Sequence, residues 1–284
     1  MNLYRLQRIV CMLVSNPKKF FLYFQAKVRS LFVLRKTPFN KALKCGSIFR
    51  FDFNYDPAVK NMYLGIYEIE TVEAMKKILK KGDTFIDVGA NIGYLSTIAL
   101  GLVGKSGHVH SFEPVQEYFS KLKDITFLNP EYNFIVNQCA LGEIEGTEKI
   151  AVTNLQNIGW NTIVPDFMLN ETIKETQEVP IRRLDGYIKE NALNNITLIK
   201  IDTEGFEFPV LKGLSKYFES CDIMPVIICE INPTAYPPLG YQLNQLSEYM
   251  KKFNYVAFEL DNLNKRIDIA KLEKTANVLF LPQQ

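Results

Sequence analysis

The chain has 284 residues, 47% of them hydrophobic and 23% charged, which are ordinary values for a globular protein able to bury a sizeable core. Its net charge of +2 hides an asymmetry: residues 1–50 carry eleven Lys and Arg and no acid, while the remainder carries 22 basic and 31 acidic residues. The absence of a run of about 18 apolar residues argues against a membrane-spanning helix, and five cysteines without a C-x-x-C pair argue against a disulfide framework.

Residues 2–35 show helical period through Leu3, Leu6, Val10, Leu13, Phe20, Phe24, Val28 and Leu31. Pro17 should divide them into two helices. Two readings stand: helices packed on the body of the protein, or a basic amphipathic surface that touches an anionic membrane or an acidic partner. Ile9 to Val14 is too short for a signal-peptide core. Cys139 and Cys229 lie in apolar runs and read as buried thiols, which suits a cytoplasmic location, with peripheral contact at the inner membrane surface as the alternative the arm allows. Residues 1–50 are therefore expected to be a basic helical extension and linker, and residues 51–284 the functional domain.

Phe49, Phe51 and Phe53 alternate as in a strand. Tyr67 to Lys81 reads as a helix with a Glu73–Lys77 pair, stopped by Gly82. Phe85 to Val88 is a short apolar β run, Gly89 to Gly93 a glycine turn, and Tyr94 to Leu102 a helix. This is the nucleotide-binding geometry of a doubly wound sheet, in which glycines permit a tight turn and close backbone approach. The spacing is G-x-x-x-G rather than G-x-G-x-x-G, which fits a dinucleotide poorly. Asp87 beside the turn suits a ligand with a positive amino group, such as S-adenosylmethionine. A second strand, Val109 to Phe112, ends at Glu113, near the spacing at which an acid grips a ribose diol.

A helix over Gln116 to Phe127 and a third strand from Phe134 on to Gly142 follow. Residues 143–183 interrupt the alternation with β patterns and a polar aromatic loop containing Trp160, which reads either as a sugar-stacking ring or as a loop anchor. The alternation resumes with helices at Leu184–Glu190, Val210–Phe218 and Leu243–Phe253, and strands at Thr197–Ile201, Val226–Ile231, Tyr255–Leu260 and Val278–Leu281. Seven strand candidates argue for one α/β sheet. Residues just past the strand ends form the expected site: Asp87, Gly89, Asn91, Gly93, Glu113, Ala140, Asp202, Glu204 and Glu230. Glu207 reads as a solvated helix residue, and His108 and His110 as structural.

Ile86-Asp-Val-Gly-Ala-Asn-Ile-Gly93, Phe112-Glu-Pro114, Leu184-Asp185 and Ile199-Lys-Ile-Asp-Thr-Glu-Gly-Phe-Glu207 together resemble the FkbM family of S-adenosylmethionine-dependent methyltransferases, over about residues 63 to 232. The resemblance implies a Rossmann-like, class I methyltransferase sheet of seven strands with the last antiparallel. It also implies methyl transfer, usually to a hydroxyl oxygen of a sugar, glycan or other small metabolite. Asp87, Gly89, Asn91 and Gly93 would hold the methionine part of the cofactor, Glu113 the ribose and Ala140 the adenine side. Asp202 and Glu204 would face the acceptor, one of them as the base. Asp202, Glu204 and Glu230 have the chemistry of a Mg²⁺ or Ca²⁺ site; the family pattern does not demand one and none is assigned. No nucleic-acid partner is expected. The alternatives are an NAD-dependent oxidoreductase, against which the missing G-x-G-x-x-G weighs, and a non-catalytic membrane-associated protein, against which the complete set of site residues weighs.

Overall fold

The computed structural model describes residues 17–30, 37–153, 161–164, 173–260 and 262–283. They cluster into two compact units, one of residues up to Lys41 with Arg50–Ile69, the other of Ala42–Phe49 with Glu70 onward.

The first unit contains helix α1 (Pro17–Ser30). Pro17 stands in the first turn of this helix, where its missing N–H costs nothing. The helix expected before it falls on residues outside those described. Helix α2 (Pro57–Leu64) is capped by Asp56, which accepts the Ala58 N–H at 2.5 Å, and is closed by Gly65 at φ +71°. Strands β1 (Phe39–Ala42) and β2 (Ile48–Phe51) form a two-stranded sheet, and the expected domain boundary at residues 50 and 51 falls inside β2. Phe39, Phe51 and Phe53 surround Tyr63, with ring centroids 5.4–5.8 Å from it, and Lys41 Nζ lies 4.1 Å from its ring centre.

Helix α3 (Ile69–Ile78) is shorter at both ends than its periodicity suggests, and Glu73 pairs with Lys76 at 2.6 Å, one residue nearer than Lys77. The second unit is built on a sheet of strands β3 (Thr84–Val88), β4 (His108–Phe112), β5 (Asn133–Asn137), β9 (Leu198–Ile201), β10 (Val226–Ile231), β11 (Tyr255–Glu259), β12 (Asn262–Arg266) and β13 (Ala276–Pro282). The order is β12-β11-β13-β10-β9-β3-β4-β5. Strands β5, β4, β3, β9 and β10 are parallel, and β13 runs antiparallel between β10 and β11. Seven of these strands are the ones read from the sequence. The eighth, β12, extends the edge by folding back on β11; its sequence, Asn-Leu-Asn-Lys-Arg, has no apolar alternation to announce it.

Two further corrections concern the connections. The third expected strand is two: β5 belongs to the large sheet, whereas β6 (Ala140–Leu141) joins β7 (Gly146–Thr153) and β8 (Ile173–Arg182) in a separate sheet of order β6-β8-β7. The expected helix from Val210 to Phe218 is also two, α7 (Glu207–Lys212) and α8 (Ser215–Ser220). They part at Gly213, where a Cβ would stand 2.3 Å from the Gly142 carbonyl oxygen.

Helix α4 (Tyr94–Val103) is apolar all round and buried except at Leu102, as a helix covered on all sides must be. Helices α5 (Gln116–Leu128), α6 (Leu184–Glu190) and α9 (Leu243–Lys252) complete the doubly wound layers. The Leu184-Asp185 pair of the sequence motif is structural: Arg183 Nε reaches Asp185 at 3.0 Å, and Asp185 also accepts the Lys216 N–H at 3.2 Å, tying α6 to α8. One core cluster joins Ile86, Ile199, Ile227 and Phe280 of the sheet to Leu211, Leu246 and Met250 of the helices.

Candidate active site

The chain leaves β3 in one direction for β4 and β5, and later returns to its other side with β9 and β10. A crevice opens where strand order reverses, beyond the carboxyl ends of β3 and β9. Two turns frame it.

The turn after β3 is stitched to both neighbouring strands. The Gly89 and Ala90 N–H groups each donate to the Phe112 carbonyl at 3.0 Å, and the Asp202 N–H donates to the Val88 carbonyl at 3.0 Å. Gly89 has φ +77°, and a Cβ there would stand 1.8 Å from the Asp202 carbonyl oxygen. Gly93 has φ +81°, and its Cβ would meet Ile125 Cδ1 at 2.5 Å and Leu122 Cδ2 at 2.6 Å on α5. Both glycines therefore serve backbone–backbone and backbone–helix packing first.

Asp87 is wholly buried beneath this turn. One oxygen accepts the Ser96 hydroxyl at 2.5 Å and the other lies 3.8 Å from Lys200 Nζ. Burial raises its carboxyl above the usual range against the pull of Lys200. Lys200, also buried, sits 3.1 Å from Asp202 Oδ2 and 3.5 Å from the Gly89 carbonyl. It thus bridges the two turns from below.

The turn after β9, Asp202-Thr-Glu-Gly205, has a different construction. Glu204 occupies the left-handed region at φ +52° and Gly205 follows at φ +103°. Such a backbone persists only where its surroundings enforce it, and here Glu207 does so. Its Oε1 accepts the Gly205 N–H at 2.8 Å, the Thr203 N–H at 3.1 Å and the Thr203 hydroxyl at 3.2 Å. The Glu204 carbonyl accepts the Thr162 hydroxyl at 2.7 Å. Glu207 is fully buried, not a solvated helix residue. Standing first on α7, it turns back to satisfy N–H groups that the helix start cannot. Burial pushes its carboxyl up to about 7.

Val88, Gly89, Asn91, Phe112, Glu113, Tyr118, Ala140, Leu141, Asp202, Thr203 and Glu204 line a cleft of about 560 Å³, open on one side, together with Ile150, Asn161 and Ile163 from the inserted sheet and its loop. Glu113 is buried in the cleft wall, one oxygen accepting the Asn91 N–H at 2.8 Å and the other the Val115 N–H at 2.9 Å. Each carboxylate oxygen has a further lone pair to offer a ligand hydroxyl. Burial outweighs both bonds and raises Glu113 to about 7. Asn91 is itself left-handed at φ +53°, a conformation asparagine tolerates better than most residues.

Across the cleft, one oxygen each from Asp202, Glu204 and Glu230 lie within 4.8 Å of one another. Burial and the neighbouring Asp202, Glu230 and Glu207 hold the Glu204 carboxyl far above its ordinary range. Three oxygens are the donor type of a hard divalent cation, but Lys200 already places one positive charge against Asp202.

Of the residues singled out in the sequence, Gly89, Asn91, Glu113, Ala140, Asp202 and Glu204 line the cleft. Asp87 and Gly93 lie beneath or behind it. Trp160 falls outside the described residues. His110 is buried, with Nδ1 2.8 Å from the Tyr187 hydroxyl, and burial lowers its imidazole to about 4. Sequence reasoning missed Lys200 and Asn161. Lys200 is flagged only by being a lone cation in the apolar run Leu198 to Ile201, where a buried charge requires partners. Asn161, whose Oδ1 accepts the Thr153 N–H at 2.9 Å, carries no local signal.

The family model for the methyltransferase FkbM domain matches residues 87–257, a span that holds both turns and the whole cleft. The chain belongs to the FkbM methyltransferase family. Among curated proteins it is similar to "Methyltransferase 1" of Beauveria bassiana (strain ARSEF 2860), 27% identical over an alignment of 166 residues that covers 52% of this chain and 66% of that protein. The match thus spans a little under two thirds of that relative. Among solved structures, the FkbM methyltransferase of Methylobacillus flagellatus KT superposes with a TM-score of 0.40 at 16% identity, covering 78% of this chain and 54% of that one. Fibrillarin of Aeropyrum pernix, solved with natively bound S-adenosyl-L-methionine, gives 0.42 at 9% identity over 88% and 85%. Superpositions this loose carry no argument about activity. The cofactor that goes with FkbM methyltransferases is S-adenosylmethionine, and the cleft suits it: a buried acid stands ready for a diol, apolar Phe112, Tyr118 and Leu141 can flank a flat ring, and carboxylates face the other end.

Proposed function

We propose that the chain transfers a methyl group from S-adenosylmethionine to a hydroxyl oxygen of a small or glycan-linked acceptor. The observation that carries this reading is that one cleft has the buried acid Glu113 in one wall and Asp202 and Glu204, clustered with Glu230, in the other.

The cofactor supplies an electrophilic methyl group on a positively charged sulfur. Everything else falls to the protein. Glu113 accepts from the ribose hydroxyls in its ionised form, and charge-assisted bonds of this kind are the strong ones. Asp202, fixed by Lys200, sets the negative field at the opposite end. Glu204 holds a proton in the resting cleft because burial, and then its acidic neighbours, disfavour its charge; positive charge entering the cleft lowers its pKa, and the ionised carboxylate would then take the acceptor's hydroxyl proton as the methyl carbon passes from sulfur to oxygen, the thioether leaving neutral. Ile150, Asn161 and Ile163 stand where they limit the shape of the acceptor.

The test is incubation of the full chain with methyl-labelled S-adenosylmethionine and a small-molecule and glycan extract of cells lacking the gene. Label should appear in products stable to alkali, as ethers are, and should be lost with Glu204→Gln. Label recovered as alkali-labile esters or as methylated amines would overturn hydroxyl methylation.

A further inference from the structure

Half of the exposed large hydrophobic side chains among the described residues lie in one helix of 14 residues. Phe21 (59% exposed), Tyr23, Phe24 (55%) and Val28 belong to α1, and only Phe127, Ile144, Ile173 and Ile223 are comparable elsewhere among the described residues. At about 100° per residue, Phe20, Phe21, Phe24 and Val28 fall within a single arc of the helix. The rings of Phe20 and Phe24 stack along it, 6.3 Å apart. The same helix contains Lys18, Lys19, Lys27 and Arg29 and no acid, inside a segment whose eleven basic residues have no acidic counterpart.

We infer that α1 is a peripheral membrane-docking helix that lies in the plane of an anionic bilayer, with Phe21 and Phe24 seated at the headgroup–acyl boundary. Among the described residues the helix is too short to span: 14 residues make about 21 Å, against roughly 30 Å of hydrocarbon. Charge excludes a second copy of this helix as the occupant, since two copies would set two purely basic sequences together. An acidic surface is required, and an apolar aromatic face beside the cations asks for hydrocarbon as well as charge, a combination an anionic lipid layer supplies. Aromatic side chains suit such a boundary because their bodies are apolar.

The experiment is co-sedimentation of the full chain with phosphatidylcholine vesicles, with and without about 30% phosphatidylglycerol, at roughly 50 and 500 mM salt. The chain should pellet with anionic vesicles at low salt, at least about tenfold more than with neutral ones, and be released at high salt. Phe21→Ser with Phe24→Ser should reduce partitioning at least about tenfold. Lys18→Glu with Lys19→Glu should do the same. The thermal midpoint serves as the check on folding, and neither pair is among the residues that line the cleft. Pelleting that is negligible with both vesicle types, equal for both, or unmoved by either pair of substitutions would overturn the inference. Self-association of the chain in place of vesicle binding would overturn it too.

Discussion

The turns after β3 and β9 lie on the same rim, and each delivers the chain from a parallel strand to a helix, yet they are built by opposite means. The Gly89–Gly93 turn has no room for side chains at its two ends: its glycines abut the Asp202 backbone and helix α5. The Asp202–Gly205 turn is crowded with them, and is held in a left-handed conformation by the buried carboxylate of Glu207. The first turn supplies shape and the second supplies charge, with Lys200 fastening them together. Substitutions in the first should therefore be felt as loss of fold, and in the second as loss of chemistry unless they strike the support.

The largest effect should come from Gly89→Ala. A Cβ at 1.8 Å from a carbonyl oxygen, at φ +77°, should cost about 4 kcal/mol or prevent folding. Urea denaturation measures it, and a stable variant would break the contrast between the turns. Glu207→Ala should follow at about 3 kcal/mol, because it strands buried N–H groups in the charged turn; Glu207→Gln, which retains an acceptor, should cost less. Glu204→Gln should leave stability nearly unchanged and lower turnover by about 10²-fold. Intact activity would move the proton acceptor to Asp202 or leave catalysis to positioning.

The smallest effect is one of pH. Glu113 is raised to about 7 in the free protein, whereas the ribose hydroxyls favour its ionised form. If Glu113 binds the diol ionised, binding must draw a proton from it below pH 7, which adds a fall in affinity of up to about tenfold per unit as the pH drops below that value to any slope that Glu204 contributes. In Glu113→Gln the titration curves should lack that added fall.

The sequence made the sheet legible because buried parallel strands are short apolar runs, and those at Phe85 and Val226 stand clear between turns and helices. The glycine turn and its acids were legible for the same reason: their positions follow from strand ends. Glu207 was misread because its role depends on the unusual φ of Glu204 and Gly205, which periodicity does not encode. β6 was merged with β5 because Asn137 to Ala140 changes sheet without a proline or glycine to mark the step. Gly89, read as a glycine for close approach to a ligand, must also accommodate the Asp202 backbone more than a hundred residues away, which no local pattern announces.

The central claim is that Glu113 and the turns around it bind S-adenosylmethionine. Calorimetric titration of the full chain and of Glu113→Ala at pH 8, with thermal denaturation to show that both are folded, tests it most directly. The account predicts saturable binding to the unaltered chain and a loss of about 10- to 100-fold in the variant, the usual effect of removing a hydrogen-bonding charged group. Equal affinities, or no binding by the folded parent chain, would contradict it.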